Sequence, residues 1–245
     1  MIDILLVFSI GVFSAFFGAL VGGAGFVSIP FLLFVGLPPH TAIGTNALGA
    51  MGLSIGGFAR FWRGGRVAWS YIPSFIVLGV IGSFLGANIV LRVNGQLLIK
   101  LVALLILFIL PLVLFNQSIG NDTQLVGKRR KFLGFIVYFL VMIYSGFLSA
   151  GSGTLIFYTY MIFFGLTFID SAATSKLPAI FSSFVVFLTF ASNRAVDYKL
   201  GAVLFLGMLV GAYWGAHAGL LKGNQWVKKL FTIVVLVSAI KLLLF

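Results

Sequence analysis

The sequence predicts an all-α integral membrane protein built from two inverted-topology helical repeats, each with a glycine-broken hairpin and three long spanning helices. Three observations lead there. Hydrophobic residues make up 61% of the 245 residues and charged residues 8%, too few to cover a soluble domain with polar surface. Several stretches run sixteen or more residues without a charge, enough to cross a hydrocarbon core of about 30 Å. The chain also repeats itself: adding 129 to a position in the first half reaches its counterpart in the second, without a gap, over more than a hundred residues. Gly36/Gly165, Thr45/Thr174, Phe58/Phe187, Val67/Val196, Gly82/Gly211, Gly86/Gly215, Gln96/Gln225 and Lys100/Lys229 mark that register. It divides the chain into a first helical repeat (1–116), a basic cytoplasmic linker (117–131) and a second helical repeat (132–245).

Ile4 to Leu20 is the first apolar segment; it lacks a positive leader region and is read as mature structure rather than a signal peptide. Gly22-Gly-Ala-Gly25 then interrupts the apolar run. Phe26 to Val35 is ten residues, about 15 Å as helix, roughly half of the hydrocarbon core. Leu37-Pro-Pro-His40 is a turn, which leaves His40 in a solvated loop. Thr45 to Phe61 is a helix with Thr45 and Asn46 at its N-cap. Arg60, Arg63 and Arg66 follow, flanked by Trp62 and Trp69 as interfacial anchors. Trp69 to Leu91 is a long helix with a Gly82-x-x-x-Gly86 packing face, and Leu97 to Phe115 closes the half. The linker ends in Lys128-Arg-Arg-Lys131, an inside-facing topology signal. The second half retraces this course through Gly151-Ser152-Gly153-Thr154, a short stub to Gly165, the caps Thr174 and Ser175, and the packing face of Gly207, Gly211 and Gly215. With the Lys128–Lys131 cluster inside, an inverted second half places more of the loop lysines and arginines in the cytoplasm than a parallel one. Three crossings per half follow if each broken pair is a re-entrant hairpin, five if both arms traverse.

Composition excludes several chemistries. There is no cysteine and no glutamate, and the acids are Asp3, Asp122, Asp170 and Asp197 alone, so thiolate sites, disulfides and paired-carboxylate catalysis are ruled out. No nucleophile elbow, Walker loop or His-x-x-x-His spacing occurs; no catalytic residue, metal site or cofactor is assigned, and the chain is not read as an enzyme. The net charge of +12 lies mostly in the breaks between apolar runs. It therefore reads as topology signalling and contact with anionic membrane lipid, not as nucleic-acid binding.

Glycine-rich breaks paired across two halves point to a transporter's binding site. A backbone break at membrane depth leaves polar groups that hydrocarbon cannot satisfy, so it must be buried in protein or line a wet cavity. The first amides of the helix after each break offer an anion a positive dipole end. The candidate substrate residues are Gly22, Gly23, Gly25, Thr45, Asn46, Gly151, Ser152, Gly153, Thr174, Ser175 and Lys176. The competing reading of the glycines is close helix packing. Lys176, whose counterpart is Ala47, either snorkels to water or is the single cationic counter-charge for the solute; Asp170, six residues earlier, is placed to neutralise it. His217, opposite Asn88 in the repeat, is the candidate titrating group for proton coupling.

Gly22-Gly-Ala-Gly25, Pro30, Gly36-Leu-Pro38 and Ala42-Ile-Gly-Thr45 resemble the motifs of the sulfite exporter TauE/SafE family, also called the toluene-sulfonate uptake permease family. The second copy departs from the pattern, with Thr159, Thr167 and Ser171-Ala-Ala-Thr174 in place of Pro30, Pro38 and Ala42-Ile-Gly-Thr45. The resemblance implies a multi-pass protein of a bacterial inner membrane that moves a small sulfur-containing anion: sulfite, thiosulfate or a sulfonate such as sulfoacetate. The expected activity is that of a secondary permease working by alternating access. Its rivals are an anion channel and a non-transporting membrane scaffold or assembly subunit. Solute, direction, coupling ion (a proton or another) and oligomeric state are left open at this level.

Overall fold

The computed structural model describes residues 4–94, 120 and 122–244, with side chains up to residue 227; the expected helix Leu97–Phe115 lies outside them. Among the described residues the chain is helical throughout, without strands. The elements are α1 (Ile4–Val21), α2 (Gly25–Phe34), α3 (Pro39–Arg63), a 3-10 turn (Trp69–Tyr71), α4 (Ile72–Val90), α5 (Lys128–Leu148), α6 (Ser152–Phe164), α7 (Phe168–Ser192) and α8 (Tyr198–Leu244). α8 is two helices joined at Gly223, whose φ of 79° and ψ of 175° are not helical. Among the described residues five helices are long and apolar enough to cross a membrane: α1, α4 with its leading turn, α5, α7 and α8 as far as Val227. α2 and α6 are the short apolar pair.

The bounds of α3, shifted by 129, are those of α7. Both begin earlier than the expected caps. Pro39 opens α3 at its first position, where a missing N–H costs nothing. Thr167 caps α7, its Oγ1 accepting from Asp170 N and donating to Asp170 Oδ2 at 2.6 Å. Thr45, Asn46, Thr174 and Ser175 are therefore buried within helices and cap nothing. His40, expected in a solvated loop, sits in the first turn of α3 with Nε2 3.1 Å from Val90 O. The Lys128–Lys131 cluster forms the first turn of α5, and the Lys131 ammonium lies 5.4 Å from the centre of the Tyr71 ring.

Small residues set the packing. α1 runs parallel to α8, with Gly207, Gly211 and Gly215 seated against the backbone of Phe8, Val12 and Phe16; a Cβ on Gly215 would lie 3.0 Å from the Phe16 carbonyl carbon. α4 runs parallel to α5 in the same manner, and a Cβ on Gly86 would meet Phe147 N at 2.7 Å. These are the small-residue faces expected from the sequence, and they allow the helix backbones to approach closely where no hydrophobic drive exists between helices in lipid. α3 and α7 cross antiparallel, with Gly44 against Phe190 at one end and Gly57 against the Lys176 stem at the other. Each half thus lays its helices on those of the other.

The two hairpins enter from opposite ends of the bundle. α2 leads into α3 at the end where His40 meets Val90, the end at which Thr45 holds Asp197. α5 starts, and α6 leads into α7, at the end where Arg66 pairs with Asp170 at 3.7 Å and Arg60 reaches His217. Both hairpins are re-entrant in this sense, each returning to the end from which it came. An aromatic cluster between α4, α5 and α6, in which Phe75 stacks on Tyr160 with ring centres 4.2 Å apart, fills the core beside the second hairpin.

Candidate functional site

The hairpin tips are built from residues that leave the helical backbone. Gly22 ends α1 with φ +78°, and Gly151 precedes α6 with φ +73°, values that L side chains adopt only with strain. Ser149 also takes a positive φ, 61°; Ala150 N closes a tight turn onto Leu148 O at 2.6 Å, and the Tyr144 hydroxyl donates to Ala150 O at 2.5 Å. The tips meet. A Cβ on Gly22 would lie 2.5 Å from Thr154 N, one on Gly153 would lie 2.7 Å from Gly22 Cα, and Thr154 Oγ1 donates to Val21 O at 2.8 Å. Among the described residues the amides of Gly25, Gly153 and Thr154 make no backbone hydrogen bond, as the starts of helices must.

A cavity of about 110 Å³ opens beside this contact, between α1, α3, α4, α5, α6 and α7. Of the residues singled out from the sequence, Gly22, Gly25, Asn46, Ser152, Gly153, Ser175 and Lys176 line it. Gly23, Thr45, Gly151 and Thr174 do not. Gly23 faces the ring of its own Phe26, and Gly151 faces that same ring from the other hairpin. The cavity is well below the roughly 300 Å³ at which drug-sized ligand pockets begin, so it suits a small solute.

Lys176 dominates its electrostatics. The side chain is 3% exposed, its stem lies on Gly57 of α3, and its ammonium lies 5.2 Å from the centre of the Phe157 ring. The expected neutralisation by Asp170 does not occur: that carboxylate is taken by Arg66 and Thr167. The reason is helical geometry, since positions six apart lie about 120° apart around the axis. Among the described residues no carboxylate pairs with Lys176. An aromatic face attracts a cation by about 0.5–2 kcal/mol, well short of the several kcal/mol by which burial penalises an unpaired charge. The site thus holds one buried lysine with no carboxylate beside it among the described residues.

The other lining groups orient donors. Ser28 Oγ lies 2.5 Å from Asn46 Oδ1 and 3.0 Å from Ala24 O, which ties the Asn46 amide to α2. Ser145 donates to Ser152 Oγ at 3.0 Å, and Ser152 donates to Ser149 O at 2.8 Å. Ser54, Ser83, Tyr138, Ser182 and Ser183 also line the cavity and were not singled out from the sequence. A signal was present, because Ser175, Ala179, Ser182 and Ser183 recur at helical spacing along one side of α7.

The two threonines act elsewhere. Thr45 Oγ1 accepts from Asp197 N at 2.9 Å, and Thr174 Oγ1 accepts from Ala68 N at 3.0 Å. Ala68 and Asp197 are themselves repeat mates, so each threonine fastens its own half to the other half at one end of the bundle. His217 is half-buried outside the cavity; Arg60 Nε donates to its Nδ1 at 3.0 Å, and its ring meets Trp214 edge-on.

The chain is 28% identical to a probable membrane transporter protein of Haemophilus influenzae over 95% of its own length and 92% of the relative's. It is 27% identical to the probable membrane transporter protein YfcA of Escherichia coli, covering 97% of this chain and 88% of the other. With the probable membrane transporter protein YdhB of Bacillus subtilis it shares 31% identity, over 88% and 89% respectively. No solved structure matches the chain. Residues 7–242 match the sulfite exporter TauE/SafE family, and the chain belongs to that family of multi-pass membrane transporters.

Proposed function

We propose that the chain is a secondary transporter that carries a small sulfur-containing oxyanion, such as sulfite, thiosulfate or an organosulfonate, by alternating access between two inverted halves. The observation that carries this reading is Lys176: a buried lysine without a carboxylate partner among the described residues, in a cavity beside two touching backbone breaks. Asn46 and the unpaired amides at the starts of α2 and α6 supply neutral donors to the same anion.

Inversion is supported by the antiparallel crossing of the repeat mates α3 and α7 and by hairpins that enter from opposite ends. Arg60, Arg63, Arg66, Lys128, Arg129, Arg130, Lys131 and Lys222 gather toward one end, Arg92, Arg194 and Lys199 toward the other. By the positive-inside rule the first end is cytoplasmic. Rocking of the halves would release Thr45 from Asp197 at one end and Thr174 from Ala68 at the other, exposing the cavity to each side in turn. His217 is the proposed coupling group: a proton on Nδ1 would take the site now used by Arg60 and loosen α3 from α8.

The test is flux of labelled sulfite, thiosulfate and a sulfonate into proteoliposomes, with and without a pH gradient. Saturable flux that is lost in Lys176→Met supports the proposal. Flux linear in concentration would mark a channel instead, and none above protein-free liposomes would leave the scaffold reading.

A further inference from the structure

The cavity has a second polar end on α7. Ser182 lines it beside Tyr138 and is 4% exposed, and among the described residues its Oγ has no hydrogen-bond partner. The other lining hydroxyls that are bonded have spent their hydrogens. Ser54 donates to Ala50 O, Ser83 to Val80 O, Ser175 to Ala172 O and Tyr138 to Phe75 O. Gly79 of α4 leaves a notch over this end: a Cβ there would lie 2.8 Å from Ser182 Oγ and 3.0 Å from the Tyr138 hydroxyl. The repeat mate of Ser182 is Leu53, which also lines the cavity, so the hydroxyl belongs to one wall only. Ser182 stands six residues from Lys176, about 9 Å along the helix axis. A buried hydroxyl is rarely left without a partner in a folded protein. One left so in the wall of a solute cavity is a donor awaiting an acceptor.

We infer that Ser182 is a specificity-determining residue that donates a hydrogen bond to an acceptor oxygen of the transported anion, at the end of the cavity away from Lys176. The inference rests on the transport reading above and adds a second point of recognition to it. Lys176 supplies charge, and Ser182 supplies direction. An anion whose acceptor oxygens reach both points is favoured over one that reaches the ammonium alone.

The test uses the full chain in proteoliposomes with labelled sulfite, thiosulfate and methanesulfonate as probes. On whichever of these the wild-type chain moves, Ser182→Ala is expected to raise half-saturation about tenfold, the worth of a hydrogen bond to a charged group. Maximal rate should stay within about twofold, and Ser182→Thr, which keeps the hydroxyl, should restore affinity. Thermal unfolding of Ser182→Ala should be unchanged or slightly later, since the change removes an unsatisfied buried hydroxyl. Unchanged half-saturation in Ser182→Ala, or a clear fall in its unfolding temperature, would overturn the inference while leaving the transport reading intact. A wild-type chain that moves none of the three probes would defeat the sulfur-oxyanion reading, and the inference with it.

Discussion

Adding one methyl group at the hairpin contact probes whether the two breaks must touch. Alanine at Gly22 would hold a φ of +78°, at about 1–2 kcal/mol for an L residue in the left-handed region. Its Cβ would lie 2.5 Å from Thr154 N, where no flexible side chain can yield, adding about 1–3 kcal/mol of overpacking. The tip-to-tip state would lose about 2–5 kcal/mol, a population shift from about thirtyfold to several thousandfold. Gly153→Ala meets the same neighbour from the other side, at 2.7 Å from Gly22 Cα, but pays no φ penalty. Gly23→Ala is the internal control, because its Cβ would meet only the ring edge of Phe26 at 3.0 Å, and it should stay within about 0.5 kcal/mol of wild type. The assay is oxyanion flux in proteoliposomes, normalised to inserted protein. Loss of flux in Gly22→Ala and Gly153→Ala, with Gly23→Ala near wild type, is expected. Equal flux in all three would show that close contact of the tips is not needed, and the reasoning would fail.

Other changes separate the parts of the site. Lys176→Met should abolish saturable flux while leaving thermal stability equal or higher, because it removes a buried unpaired charge; retained flux at ordinary affinity would dismiss the lysine as counter-charge. Thr45→Val and Thr174→Val each strand one backbone N–H, at about 1–3 kcal/mol, and should favour opening at opposite ends. Labelling of Ser183→Cys from each side of the membrane would read this, since the natural chain has no cysteine; identical labelling in both variants would contradict it. His217→Gln keeps an acceptor for Arg60 and should remove any response of flux to a pH gradient, and a surviving response would exclude His217 from coupling.

Much of this was written in the residues. The offset of 129 carries the bounds of α3 onto those of α7, and the glycine breaks fall where the helices end. Both features follow from backbone requirements that leave small residues behind. Side-chain roles were harder to read. Thr45 and Thr174 look like caps by residue type, yet Pro39 and Thr167 start their helices earlier and leave the threonines to fasten the halves together. Asp170 is near Lys176 in sequence, but its carboxylate turns to Arg66 and to the cap hydroxyl of Thr167. The serines of the cavity wall share their residue type with packing positions, and only the three-dimensional arrangement separates Ser182 from Ser83. Gly23 illustrates the limit well: it belongs to the same motif as Gly22 but points away from the contact.

A cross-link between the hairpins is the most direct test. Gly25→Cys with Ala150→Cys places a thiol on each tip, where a Cβ at 25 lies 3.0 Å from Ala150 Cα, near the reach of a disulfide. In a chain with no other cysteine, oxidation should form one intramolecular bridge that stops oxyanion flux, and reduction should restore it. Failure of the bridge to form, or undiminished flux through the bridged protein, would contradict a carrier that works between two meeting tips.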